Sequence, residues 1–156
     1  MRHQTAARPL SVWILIVLLF FLGVGGIVSG ALLFSAPNGS LIGMPVDYLK
    51  GSPFSNFLIP GIILFLFVGV YQIFVGYSLL RRPTWHWPDK MNPCKSYHWV
   101  WAASWAAGVI LLVWIIVETV LLGYISLLQP IIAVWGVILI LLTLLPSVCR
   151  YYKRNS

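Results

Sequence analysis

Apolar positions in this chain neither alternate nor keep to one helical face; they run on without interruption. Residues 10–34, 57–80, 99–122 and 130–148 form four such stretches, and the only charge inside any of them is Glu118. A helix that crosses a hydrocarbon core of about 30 Å needs about 20 apolar residues, with a working range of about 17–25. All four stretches fall in that range. Lipid-facing barrel strands are shorter, about 10 residues, and alternate apolar with polar side chains, so the pattern predicts helices.

Polar residues gather between the stretches. The first connection, 35–56, reads SAPNGSLIGMPVDYLKGSPFSN and is unusually apolar for an exposed loop. Leu41, Ile42, Met44, Val46, Tyr48, Leu49 and Phe54 are expected to hold it against the membrane surface or over the mouth of the bundle. Its glycines and prolines supply tight turns. The second connection, 81–98, contains Pro83, Pro88 and Pro93, which forbid a continuous helix. Trp85 and Trp87, with Trp99, Trp101 and Trp105 beyond them, suit an interfacial belt of amphipathic rings. The third connection is only a few residues around 124–129, so the last two helices form an antiparallel hairpin.

Composition sharpens the class. Of 156 residues, 60% are hydrophobic and 8% charged, with a mean hydropathy of +0.94. So little polar surface cannot screen so much apolar surface from water. The net charge of +7 has a membrane explanation rather than a nucleic-acid one. Arg2, Arg8, Arg81, Arg82, Lys90, Lys95, Arg150, Lys153 and Arg154 all fall on one side of the predicted spans, and Lys50 alone falls on the other. Basic flanks are retained in the cytoplasm. The expected fold is therefore all-α: a polytopic membrane protein, a four-transmembrane-helix bundle with N and C termini cytoplasmic, forming one membrane domain over 1–156. A bacterial cell membrane is the expected location. Ser29-Gly30-Ala31 offers a small-x-small cleavage pattern, but the first stretch exceeds the 7–15-residue core of a signal peptide and is expected to be retained.

Small residues mark packing faces, because helices in lipid associate by close approach and hydrogen bonding. Gly23, Gly26 and Gly30 share one face of the first helix, and Gly69 and Gly76 recur on the second. Ala102, Ala103, Ser104, Ala106, Ala107 and Gly108 open the third. Replacing Gly26 with Ile is expected to disrupt assembly, whereas Leu18 is expected to face lipid and tolerate change.

Candidate chemistry is sparse. Glu118 is the one acidic residue in a predicted span, and a mid-membrane charge costs roughly 2.5–3.5 kcal/mol on insertion scales. An outward-facing polar pocket is expected around it, with Gln129 and Lys50 as partners and Asp47, Tyr48 and Ser29 nearby. The competing expectation is that Glu118 hydrogen-bonds a neighbouring helix and fixes the bundle. Gln72, Tyr71 and Tyr77 read as interhelical hydrogen-bonding groups. His86, Cys94 and His98 match no zinc spacing. Cys94 and Cys149 are not a redox pair, and no nucleophile elbow, zinc-protease pair or phosphate loop occurs, so no catalytic, cofactor or metal residue is predicted.

The runs SPFSNFLIPG, leading into the second helix, and LLQP, opening the fourth, resemble small uncharacterised four-helix integral membrane proteins of bacteria. That resemblance implies the four-helix membrane fold and no particular activity. Four-helix quinone-linked thiol oxidoreductases differ in the point that matters, since their C-x-x-C centre is absent here. The expected role is a non-catalytic accessory, assembly or interaction subunit, in contact with the lipid bilayer and with a membrane-protein partner or further copies of itself. A small transporter or channel-like oligomer using Glu118 is the alternative, and a lipid-modifying enzyme using Asp47 and Glu118 a third.

Overall fold

A computed structural model of the chain describes residues 7–154, so Arg2 lies outside the described residues. Helix α1 spans Leu10–Ser35 and starts directly after Pro9, whose carbonyl accepts from the Val12 and Trp13 amides. Helix α2 spans Leu58–Arg81 and contains a π-helical stretch, Leu64–Val70. A short helix, α3, covers His86–Met91, and Pro88 is tolerated there because it sits in the first turn, where no intrahelical donor is required. Helix α4 spans Trp99–Leu122, α5 Leu128–Leu144 and α6 Pro146–Tyr152. Helices α1, α2 and α4 are each long and apolar enough to cross a membrane, and α5 with α6 would make a fourth span if the bent pair is one. At 24 residues, α2 and α4 are each about 36 Å long, ample for a core of about 30 Å.

The fourth apolar stretch does not form the single rod expected over 130–148. It breaks at Leu145, and α6 turns away from α5 by 59°. Pro146 is the cause. Its ring excludes the helical conformation from the preceding residue, and Leu145 accordingly takes an extended ψ of 137°.

Helix α1 packs along α2 and α5, while α4 packs along α2 and α5, so each helix has two lateral neighbours. Between them Val12, Leu15, Leu19, Val75, Leu79, Val100, Ala107, Leu111 and Leu139 are fully buried. The outward faces are apolar as well: Phe21 is 70% exposed and Val120 78%. Such faces are compatible with a multi-pass membrane protein.

The α1–α2 seam depends on glycine. A Cβ at Gly26 would lie 2.6 Å from the Val68 carbonyl carbon and oxygen, and one at Gly30 would lie 2.6 Å from the Phe65 amide nitrogen. Both positions face the π-helical stretch, so the bare surface of α1 admits the locally wider turn of α2. Gly61 and Gly69 return the contact against Leu33 and Ile27. Gly23 meets Ile73, and Gly76 lies against Phe20 at an easier 3.3 Å. Gly108 and Gly136 perform the same task between α4 and α5.

The 36–57 connection folds over the α1–α2 end as two short 3-10 turns, Ser40–Ile42 and Val46–Leu49. Leu49 and Phe57 are buried with Leu33, and Ile42, Met44, Val46, Phe54 and Leu122 pack around them. This end is termed the cap end. The opposite tail end holds residues 7–9, the 82–98 connection and α6.

Candidate functional site

At the cap end, Leu111, Ile115, Glu118 and Leu122 recur at helical spacing on one side of α4. Leu111 and Ile115 are buried. Val113, Ile116, Val117 and Val120 on the other side are exposed. Glu118 thus continues the inward stripe rather than the lipid-facing one, and it is half-buried beside Trp114 and Gln129.

The other residues expected around it are placed differently. Gln129 is buried, and its amide already clamps the turn between α4 and α5: its oxygen accepts from the Ile125 amide at 3.0 Å, and its nitrogen donates to the Gly123 carbonyl at 3.0 Å. Gly123 takes φ 74°, a backbone that favours glycine, so Gly123 and Gln129 together make this tight reversal. Lys50 does not reach Glu118; it pairs with Asp47 at 3.0 Å, one helical turn earlier and in open solvent. An exposed pair of that kind contributes little, about 0–1 kcal/mol. Tyr48 is also exposed. Ser29 lies on the exposed face of α1. The structure therefore brings Gln129 to Glu118 and leaves Lys50, Asp47 and Ser29 apart from it. Sequence spacing supplies depth along a helix without azimuth about it.

Deeper polar groups tie helices to each other. Gln72 is fully buried, and its nitrogen donates to the Ala107 carbonyl at 3.1 Å. The Tyr71 hydroxyl donates to the Ala103 carbonyl one turn away. The Trp101 indole donates to the Thr143 carbonyl, and the Ser104 and Thr143 hydroxyls share a hydrogen bond. Each bond joins α2 to α4 or α4 to α5.

Sequence reasoning missed a richer cluster at the tail end. Helix α2 stops because Arg82 precedes Pro83 and adopts φ 50°, so the last carbonyls of the helix need partners from outside its regular ladder. Three groups satisfy them, two of which come from distant parts of the chain. The Arg82 amide takes the Ser78 carbonyl, the Tyr152 hydroxyl donates to that of Leu79 at 2.8 Å, and the Arg8 guanidinium donates to that of Leu80 at 2.8 Å. Arg82 then lies over the Tyr151 ring and near that of Tyr152, with a hydrogen bond to the Tyr151 carbonyl. The chain end adds a lone antiparallel bridge between Tyr97 and Lys153, and Arg154 pairs with Asp89.

Beside this cluster a recess of about 290 Å³ opens, lined by Thr84, Trp85, His86, Asp89, His98, Trp99 and Arg154. Trp85 and Trp99 stack with ring centres 5.9 Å apart, and Phe74 backs both rings. His98 caps α4, its Nδ1 accepting from the Val100 amide. Burial, and then the nearby Arg154 and Arg82 charges, hold its imidazole below the usual histidine range. The hydrogen bond from Arg154 holds the Asp89 carboxyl below the usual carboxylate range. Two signals were readable beforehand: an Arg-Arg-Pro helix stop, and a Tyr-Tyr-Lys-Arg chain end whose aromatic and basic residues need partners.

Comparison with protein-family models, curated proteins and solved structures gives no significant match.

Proposed function

We propose that this chain is a four-span integral membrane protein with its tail end in the cytoplasm, serving as a non-catalytic accessory or interaction subunit. The basic residues of the tail end support that orientation. The observation that carries the role is the packed interior: Leu15, Leu19, Gln72, Val75, Leu79, Ala107, Leu111 and Leu139 are all at 0% exposure. The polar ties described above lock helix to helix. Such a molecule offers neighbours a rigid apolar exterior, with Glu118 as its one intramembrane carboxyl.

The half-buried, inward-facing Glu118 favours a second reading, a transporter whose substrate or proton enters from the cap end. Proteoliposomes separate the two. The accessory role predicts no proton or cation flux above that of empty vesicles, and the same result for Glu118→Gln. It also predicts a discrete crosslinked partner band from a photo-reactive residue at Val120. Flux that disappears in Glu118→Gln would replace the first reading with the second.

A further inference from the structure

The geometry points to the tail-end recess as a binding site for a zwitterionic phosphate–amine headgroup of a membrane lipid. Three features converge. The recess is about 290 Å³, at the lower edge of the roughly 300–1,000 Å³ typical of small-molecule sites, which suits a headgroup better than a whole metabolite. Its charges come as one carboxylate, Asp89, and one guanidinium, Arg154, already joined to each other. That balance favours a ligand carrying both signs over a bare anion: an ammonium would donate to Asp89, and a phosphate would accept from Arg154 and the Thr84 hydroxyl. One wall is aromatic, with Trp85 45% exposed and stacked on buried Trp99, so a cation has a π-face as well as a carboxylate.

The position suits a lipid source. Trp87 and Met91 lie one turn apart on α3 and are 73% and 68% exposed, so this short helix presents an apolar edge beside the recess. Edges of that kind settle at the headgroup level of a bilayer, bringing the recess to the height of the phosphates. The inference needs only that the protein is in a membrane, and it holds whichever reading of Glu118 is right.

The test uses the full-length protein in detergent, with native mass spectrometry after titration of short-chain phosphoethanolamine, phosphocholine and phosphoglycerol lipids and of water-soluble phosphoethanolamine. Saturable binding of one phosphoethanolamine lipid is expected, at least tenfold tighter than the phosphoglycerol lipid and the soluble headgroup. Asp89→Asn and Trp85→Leu are each expected to weaken it tenfold or more, while Ile131→Ala, exposed near the cap end of α5, leaves it unchanged. The headgroup ranking of the unmodified protein stands as a separate readout if either recess variant misfolds. Equal uptake of all three lipids, or undiminished binding by folded Asp89→Asn, would overturn the site. Soluble phosphoethanolamine binding as tightly as its lipid would overturn the membrane source.

Discussion

Gly25 and Gly26 are sequence neighbours with opposite surroundings. A Cβ on Gly26 would enter the Val68 peptide at 2.6 Å, whereas nothing lies within 4 Å of one on Gly25. Backbone cannot step aside as a side-chain tip can, so even Gly26→Ala is expected to cost about 3 kcal/mol or more, at or beyond the upper end of overpacking. Gly25→Ala is expected to be neutral or slightly stabilising, since Ala is the better helix former. Thermal unfolding in detergent compares the pair directly. The small-residue spacing exposed this face to sequence reading, but Gly61, eight residues before Gly69, and Gly136, alone in its stretch, fell outside the spacings that mark a packing face. Leu18 was misjudged for a related reason: it is half-buried and packs on the core, while Val17, 61% exposed, is the residue that points outward. In stretches that are apolar all round, hydrophobicity does not reveal rotation about the helix axis. At the tail end, Tyr152→Phe would leave the Leu79 carbonyl without its donor in a buried site. The expected loss is about 1–3 kcal/mol, read as an earlier unfolding transition.

The lengths of α1, α2 and α4 were legible because they depend only on apolar run length and flanking breakers. The break after α5 was in the sequence too, as Pro146, yet run length overrode it. The rule that the residue before proline leaves the helix should have taken precedence. What lies beyond the break was out of reach, since α6 is held through its Tyr151 by Arg8 and Arg82, the former 143 positions away in the chain. That docking should depend on acid. In the folded chain both His98 and Asp89 favour their deprotonated forms. Their contributions are therefore complete above the ordinary values of about 6.5 and 3.9, and are lost as pH falls through the lower folded values. Hydrogen exchange at the His98 and Arg154 amides, which bond the Tyr152 and Ser96 carbonyls, is expected to accelerate relative to the α1 core as pH falls from 7 to 3. Asp89→Asn should show part of that acceleration already at pH 7.

For the molecule as a whole, the apolar exterior and the segregation of basic residues both support the proposed arrangement, helices standing in hydrocarbon with the tail end in the cytoplasm. Hydropathy alone carried the presence of three or four helices long and apolar enough to cross a membrane. It carried little about Glu118, whose companions depend on which way each helix is turned. The most direct test is labelling of single cysteines in intact cells by a membrane-impermeant maleimide, with Cys94 and Cys149 replaced by serine as background. Cysteines introduced at Ser40 and Ser126 are expected to react from outside, while one restored at position 94 reacts only after the membrane is opened. Reaction at position 94 in intact cells, with Ser40 protected, would contradict the orientation. Equal reaction at all three positions without opening the membrane would contradict a membrane-spanning fold.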